Sequence, residues 1–245
     1  MNYLEYEEKV RQDPDEHQKS ILSFYLPFFR NCNKVLDLAC GKGNFLELLE
    51  GRGVGVDRDK FICDYVRKKG LKIIHSDLMK FLENTKEVFD GIMFSHIIEH
   101  FSIKDVSRIL KLMYKHLRKG GTLVIVTPNA ESVTARLYFE KDPTHVRFYP
   151  HQLIRFLGEE AGFKFVKSGS NPHSRAKIWK NIELKELKNT NLNIDKFSKI
   201  FESESLKIKS EFNEAKKIIN ALIKKINMLE DFILNPMDAY VVMTK

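Results

Sequence analysis

The most constraining feature of the sequence is the segment Val35–Leu46, in which an apolar run passes through a glycine-rich turn into a helical pattern. Gly41 and Gly43 allow a tight turn and a close approach of the backbone to a ligand. The helix that follows presents free backbone N–H groups, which bind carboxylates or phosphates. Asp57 ends the next apolar run, where dinucleotide folds place an acid that accepts hydrogen bonds from ribose hydroxyls. The pattern predicts a nucleoside-containing ligand at the edge of a parallel sheet.

The turn does not suit a dinucleotide. The pattern G-x-G-x-x-G requires glycine at positions 39, 41 and 44, and the chain has Ala39, Gly41 and Asn44. Asp37, inside the first apolar run, also suits an amine-bearing ligand better than a pyrophosphate. We therefore interpret the ligand as a cationic amino-acid nucleoside, S-adenosylmethionine.

Apolar runs alternate with helical patterns from residue 20 to residue 170, which predicts βαβ units around a mostly parallel sheet. Gly120-Gly121 and Gly162 are expected to end the helices before the fifth and sixth strands. The predicted strands are Lys34–Ala39, Val54–Asp57, Lys72–Ser76, Gly91–Ser95, Thr122–Thr127, Phe163–Lys167 and Ala239–Thr244. The predicted helices lie near Asn44–Glu50, Lys60–Lys68, Ile103–Leu117 and His151–Ala161.

A helical segment interrupts this pattern before the last strand. We predict a helical lead-in at 1–33, a Rossmann-like domain at 34–170 plus 238–245, and a helical insertion at 171–237. The last two strands would then pair as an antiparallel edge hairpin. The insertion carries a heptad seam, which fits either a helix packed in a hairpin or against the core, or a dimerising coiled coil or lid. The seam is Ile208, Phe212, Ala215, Ile219, Leu222, Ile226, Leu229 and Ile233.

Composition sets the broad class of the protein. The 245 residues carry a net charge of +8, which permits an anionic partner such as nucleic acid, a phosphorylated substrate or a membrane surface, but equally fits a solvated face. No apolar run approaches the roughly 20 residues of a membrane helix. The first residues are acidic and polar, unlike a targeting peptide. Cys32, Cys40 and Cys63 lack metal or disulfide spacing. We expect a cytoplasmic enzyme with reduced thiols.

Five ordered segments resemble the motifs of class I S-adenosylmethionine-dependent methyltransferases: VLDLACGKGNFLELL, GVGVD, HSDLMKFL, FDGIMFSHIIEHF and LRKGGTLVIVTPN. The resemblance covers Val35 to Gly162 and departs at Ala39, where the family usually has glycine. It implies a seven-stranded α/β sheet. It also implies that Asp37, Ala39, Gly41 and Gly43 line the methionine end of the cofactor, although Asp37 could instead fix the turn. By the same resemblance, Asp57 would contact the ribose, and Asp77 with Leu78 would contact the adenine. Ser95 and His96 would face the sulfonium.

The string His96-Ile97-Ile98-Glu99-His100 also matches H-x-x-E-H, a zinc-peptidase pattern. In a helix, His96 and His100 would share a face and could bind zinc. The string follows a buried strand, however, and no third ligand is fixed, so we predict no metal and leave an accessory ion open. The interpretation we favour makes His96 and His100 polar residues of the active site. The alternative is that Glu99 and His100 cap the next helix.

The segment DPTHVRFYP, at 142–150, narrows the resemblance to methyltransferases of bacterial surface-polysaccharide and O-antigen synthesis, together with Tyr25–Phe28 and Thr127–Asn129. Pro143 and Asp142 favour a turn. His145 and Arg147 would project over the edge of the sheet, where His145 could accept a proton and Arg147 could hold a phosphate or carboxylate. The alternative is a structural loop lock in which Arg147 pairs with a surface acid.

The expected activity is O-methylation of a sugar hydroxyl or sugar phosphate, with His145, His96 or His100 as the base and Arg147 binding the substrate. Alternatives are methylation of a small molecule such as a quinone precursor, methylation of RNA, and a non-catalytic adaptor that binds the cofactor within a glycan-assembly complex. Nucleic acid is not favoured as a partner. Peripheral membrane contact and homo-oligomerisation through 208–233 are compatible with the sequence.

Overall fold

A seven-stranded sheet forms the centre of the protein. The computed structural model describes residues 15–174 and 235–245, together with helical residues between 214 and 228. The strands are β1 (Val35–Leu38), β2 (Gly53–Asp57), β3 (Ile73–His75), β4 (Phe89–Ser95), β5 (Leu117–Pro128), β6 (Lys164–Ser170) and β7 (Asp238–Thr244). Their order is β3-β2-β1-β4-β5-β7-β6. Neighbours from β3 to β5 are parallel, whereas β7 is antiparallel to both β5 and β6. The predicted fold class and the antiparallel pairing of the last two strands are confirmed.

Helices cover the two faces of the sheet. They are α1 (Asp15–Ser23), α2 (Asn44–Leu48), α3 (Lys60–Lys68), α4 (Leu78–Asn84), α5 (Ile103–His116), α6 (Val133–Phe139) and α7 (His151–Glu160), with 3-10 turns at Leu26–Phe29, Ile98–His100 and Pro172–Ser174. All four residues of β1 are buried, as expected for a central parallel strand that is covered on both sides. Because side chains alternate along a strand, Leu36 and Leu38 join one apolar cluster and Val35 joins the other.

Two local expectations need correction. No helix is predicted after β3, but α4 is present there, and Asp77 caps it by accepting hydrogen bonds from the backbone N–H groups of Met79 and Lys80. The glycine pair Gly120-Gly121 does not end α5. That helix stops at His116, β5 begins directly at Leu117, and the glycines lie inside the strand. Gly162, by contrast, has the left-handed φ of +104° expected just after a helix.

The predicted helical lead-in is present where the structure describes it. Residues 1–14 lie outside the described residues, and α1 and the turn Leu26–Phe29 follow. Tyr25 and Phe29 are fully buried. A Cβ on Gly91 of β4 would lie 2.6 Å from the Phe29 ring, so the glycine lets this turn pack directly on the sheet.

The chain divides into two compact units, one formed by 1–175 with 236–245 and the other by 176–235. In the second unit, Ile219 and Leu222 are helical and their side chains are 45% and 52% exposed. The other six seam positions lie outside the described residues, so the coiled coil and the homo-oligomer remain predictions. Within the part of the chain that is described, no helix is both long and apolar enough to cross a membrane.

Candidate functional site

The turn between β1 and α2 leaves open space at its surface. Ala39, Gly41 and Gly43 all have left-handed backbones, with φ of +55°, +49° and +76°. A Cβ on Gly41 would meet no atom within 4 Å, which leaves room for a ligand beside the backbone. Ala39 keeps this conformation despite its Cβ, at a typical cost of about 1–2 kcal/mol. The turn therefore retains the shape that glycine normally permits.

Asp57 fastens this turn to the end of β2. Its Oδ2 accepts a hydrogen bond from the Gly41 N–H at 3.1 Å, and its Oδ1 accepts one from the Asp59 N–H at 2.9 Å. Burial raises the pKa of Asp57, and these two backbone hydrogen bonds oppose that rise. Asp57 therefore fixes the turn, which is the role that the sequence left open for Asp37.

Asp37 is a buried carboxyl group whose side chain has no hydrogen-bond partner among the described residues. Only 4% of the residue is exposed. Burial, followed by the nearby charge of Asp57, raises the pKa of Asp37 to about 8. Oδ1 of Asn44, at the start of α2, is also buried without a partner. Since a buried carboxylate needs a cation or a donor, this end of the turn suits an ammonium-bearing ligand.

Asp77 and Leu78 lie at the start of α4, after β3. Asp77 is exposed, and its cap uses one carboxylate oxygen, Oδ1. Leu78 belongs mainly to the apolar core, with 7% of its surface exposed. The role predicted for these residues at the adenine ring remains a prediction.

The chain reaches the same sheet edge again at the end of β4, where Ser95 is half-buried and His96 follows. His96 has a φ of +52°, an uncommon value for a residue other than glycine. Its Nε2 lies 3.3 Å from Oδ1 of Asp238, and its Nδ1 lies 3.6 Å from Oε1 of Glu99. Burial by itself would lower the pKa of His96, but the charges of Asp238 and Glu99 raise it to about 10. The ring is therefore a cation at neutral pH.

Asp238 is a site residue that sequence reasoning missed. It is buried at the first position of β7, and because β7 is antiparallel, its beginning meets the ends of the parallel strands. The only signal in the sequence was an acid placed directly before the last apolar run.

The histidines His100 and His145 both have a fixed tautomer. His145 Nδ1 lies 2.7 Å from the Phe139 carbonyl oxygen, which can only accept, so Nδ1–H donates. His100 Nδ1 lies 2.9 Å from Thr144 Oγ1, whose own proton goes to Asp142. His100 Nδ1 must therefore also donate. Both rings therefore donate from Nδ1, and Nε2 of His145 lies 3.9 Å from Oδ2 of Asp142.

The charge state of His100 agrees with this tautomer. Burial lowers the pKa of His100, and the nearby Glu99 carboxylate opposes this only in part, so the ring is neutral at pH 7. The rings of His100 and His145 pack with centroids 4.8 Å apart.

The DPTHVRFYP segment is joined to the turn after β4 through Glu99. The Glu99 carbonyl oxygen accepts hydrogen bonds from the N–H groups of Val146 at 2.8 Å and Arg147 at 3.3 Å. Thr144 N–H donates to Asp142 Oδ1, the turn expected of this aspartate. The segment thus acts as a loop lock and also brings His145 to His100.

The Arg147 guanidinium is not paired with an acid of the described residues. Its Nε donates to the Phe148 carbonyl oxygen and its guanidinium lies 5.3 Å from the Tyr149 ring. Across residues 15–174 and 235–245 it forms no ion pair.

Two interpretations of the H-x-x-E-H string are wrong. His96 and His100 do not share a helix face, because His96 is left-handed and only Ile98–His100 forms a 3-10 turn. Nor do Glu99 and His100 cap the next helix, since the Ser102 hydroxyl accepts a hydrogen bond from the Asp105 N–H and caps α5. The Glu99 side chain is fully buried, and neither carboxylate oxygen has a hydrogen-bond partner among the described residues.

Known proteins share this fold. A structure of a SAM-dependent methyltransferase from Archaeoglobus fulgidus matches with a TM-score of 0.69 and 27% identity over 100% of both chains. Magnesium protoporphyrin IX methyltransferase from Synechocystis PCC 6803, solved with bound SAH, shares the fold with a TM-score of 0.50 and 13% identity, over 64% of this chain and 77% of that one.

Among curated proteins, the human mitochondrial ubiquinone biosynthesis O-methyltransferase is 31% identical over 42% of this chain. The match spans only 31% of that protein's length. The family model described as a methyltransferase domain matches residues 6–168, more than half of the chain. The chain belongs to the methyltransferase-domain family.

Proposed function

We propose that the protein transfers a methyl group from S-adenosylmethionine to a hydroxyl oxygen of a small organic acceptor. The observation that carries the proposal is the meeting of five ionisable side chains at the end of β4. Because β1 and β4 are adjacent parallel strands, this cluster lies at the same sheet edge as the cofactor turn. Its members are His96, Glu99, His100, His145 and Asp238.

The cofactor supplies an electrophilic methyl group on a sulfonium. On this proposal, the Asp57 carboxylate accepts hydrogen bonds from the ribose hydroxyls, and Asp37 faces the ammonium group. Gly41 gives the backbone room to approach, and Asp77 has a carboxylate oxygen for the adenine amine. The acidic residues of the first two strands match a ligand with positive charge.

The cluster beyond β4 prepares the acceptor. A hydroxyl group is almost wholly protonated at pH 7, so its proton must leave for the oxygen to become a good nucleophile. Nε2 of His100, and Nε2 of His145 when that ring is neutral, can accept this proton. The His96 imidazolium can stabilise negative charge on the acceptor oxygen, and Arg147 can hold an anionic group elsewhere on the molecule.

A small-molecule acceptor has more support than a glycan. The curated relative is named an O-methyltransferase of ubiquinone biosynthesis, and the names of the relatives given above do not mention surface-polysaccharide synthesis. Because the net charge is +8, the anionic acceptors RNA and sugar phosphates are included in the test.

The deciding experiment is transfer of isotopic label from methyl-labelled S-adenosylmethionine. The acceptor panel contains catechols and phenols, free and phosphorylated sugars, and RNA, with calorimetry as a separate measure of cofactor binding. Label on the aromatic hydroxyls supports the proposal. Label found only on sugars, on RNA or on a nitrogen atom overturns the proposal that the acceptor is a hydroxyl group of a small organic molecule. Cofactor binding with no transfer, including to fractionated lysate of the source organism, overturns catalysis and favours the adaptor.

Asp37 makes cofactor affinity depend on pH. With a pKa of about 8, Asp37 is protonated at pH 6 to 7.5 in the free protein and must lose that proton when it faces a cation. Affinity should therefore rise with pH across this window, by up to about tenfold per unit. Isothermal titration calorimetry at pH 6.0, 6.5, 7.0 and 7.5 measures the slope.

The matched control is Asp37→Asn, which keeps the size of the side chain. We expect it to bind the cofactor more weakly and with a flat pH dependence. An unchanged slope in this variant would assign the titration to another group, with Asp57 the next candidate.

A further inference from the structure

The Glu99 carboxylate is buried without a hydrogen bond. Its side chain is 0% exposed, and neither carboxylate oxygen has a hydrogen-bond partner among the described residues. It forms an ion pair with His96, whose Nδ1 is 3.6 Å from Oε1, beyond hydrogen-bond range. Buried carboxylates are normally hydrogen-bonded, paired closely or bound to a metal.

His100 and His145 are held as metal-binding histidines usually are. In metal sites the ring nitrogen away from the ion typically donates to a carbonyl or carboxylate, and this sets the tautomer. Here the Nδ1–H groups donate to Phe139 O and to Thr144, which leaves Nε2 of each ring as the possible ligand atom. Nε2 of His145 lies 3.9 Å from Asp142 Oδ2. The Phe139 ring also packs against His145 with centroids 4.3 Å apart.

One ion could contact all three residues. Potential ligand atoms of Glu99, His100 and His145 lie within 4.8 Å of one another, so small side-chain movements suffice to close them on a common centre. The backbone hydrogen bonds from Val146 and Arg147 to Glu99 O already join the two segments that supply the ligands.

We propose that Glu99, His100 and His145 form a binding site for a divalent transition-metal ion of the zinc type. Two imidazoles and one carboxylate are a ligand set of catalytic zinc sites, in which a further position stays open. Nitrogen ligands disfavour Ca²⁺ and Mg²⁺, which prefer oxygen. The ligands differ from those suggested by the sequence string, because His145 takes the place of His96.

The role of the ion rests on the proposed function and deepens it. An acceptor hydroxyl that occupies the open position would have its pKa lowered. Its O–H bond breaks, the electron pair stays on oxygen, and the proton passes to water. In the metal-loaded protein, His100 and His145 bind the ion and therefore do not accept the proton.

Metal binding can be tested without cofactor or acceptor. Tag-free full-length protein is treated with a chelator, dialysed and titrated with Zn²⁺ against a competing chromophoric chelator. Bound metal is counted by mass spectrometry, and Co²⁺ provides visible absorption that reports the ligand field. We expect one ion per chain and a higher thermal midpoint with Zn²⁺.

The variants Glu99→Gln and His145→Gln should each weaken Zn²⁺ binding at least about 100-fold, since even outer residues of metal sites contribute 10–100-fold. His75→Gln, an exposed histidine on β3, is the matched control and should bind like the wild type. Circular dichroism checks that each variant folds.

Two results would overturn the site: no stoichiometric ion in the wild type, or equal Zn²⁺ affinity in wild type, Glu99→Gln and His145→Gln. Metal binding with no methyl transfer to any acceptor would instead overturn the proposed function and leave the site standing.

Discussion

Replacement of Asp57 by alanine is expected to lower the affinity for S-adenosylmethionine at least about 100-fold. The variant loses the hydrogen bond that holds Gly41 at 3.1 Å and, on the proposed function, the carboxylate that accepts hydrogen bonds from the ribose hydroxyls. Hydrogen bonds to a charged group contribute about 1.5–3 kcal/mol each, and about 1.4 kcal/mol corresponds to a tenfold change in affinity. Isothermal titration calorimetry measures the change directly.

Asp64→Ala is the control for this experiment. Asp64 is an exposed acid on α3 that pairs with Arg67 at 2.9 Å, so its loss removes a negative charge without touching the turn. It should leave cofactor affinity unchanged. Wild-type affinity in a folded Asp57→Ala variant would refute the assignment of the turn as the cofactor site.

Replacement of Asp238 by alanine is expected to lower kcat about 100-fold while cofactor affinity stays within about twofold. Oδ1 of Asp238 lies 3.3 Å from His96 Nε2, so it orients the His96 ring. His96 itself follows the end of β4 with a left-handed backbone. Loss of one group that stabilises negative charge in the transition state typically costs about 10²–10³-fold in kcat, and a misplaced imidazolium loses much of that stabilisation. Steady-state kinetics with the identified acceptor, and cofactor titration, separate the two effects.

Two further variants separate positioning from local structure. Asp238→Asn keeps an oxygen that can accept from the ring and should give an intermediate kcat. Ser174→Ala removes the hydroxyl that accepts the Asp238 N–H at 3.0 Å but leaves the carboxylate, and should have a smaller effect than Asp238→Ala. Equal losses in the alanine variants would point to a merely structural role for Asp238.

The sheet could be predicted because its signals are local. A buried parallel strand is a continuous apolar run, and β1, β2, β4 and β5 each contain one followed by a helical pattern. Helix α3 was predicted with the bounds that the structure has, since Asp59 caps it. Helix α4 carried a similar signal, Asp77 followed by the apolar Leu78, Phe81 and Leu82, but Asp77 was interpreted only as a cofactor ligand.

The cluster of ionisable side chains at the end of β4 could be predicted only in part, because it depends on contacts between distant segments. The sequence pattern indicates His96, His100 and His145 individually. It does not show that His145 meets His100, or that the Glu99 carboxylate is buried without a hydrogen bond. Asp238 was missed because its proximity to His96 follows from the antiparallel insertion of β7, which no local pattern specifies. The strained backbones of Ala39 and His96 likewise arise from tertiary context.

The strand order also bears on how the protein folds. Strand β6 has one sheet neighbour, β7, and residues 171–237 separate the two along the chain. Strands β3 to β5 can assemble from consecutive units, whereas β7 must close a long loop to enter between β5 and β6, and such distant pairings slow folding. During synthesis, the edge of β5 is expected to stay open until β7 emerges, which exposes it to pairing with other chains. Asp238 arrives with that same strand, so completion of the sheet and acquisition of activity should share one rate-limiting step.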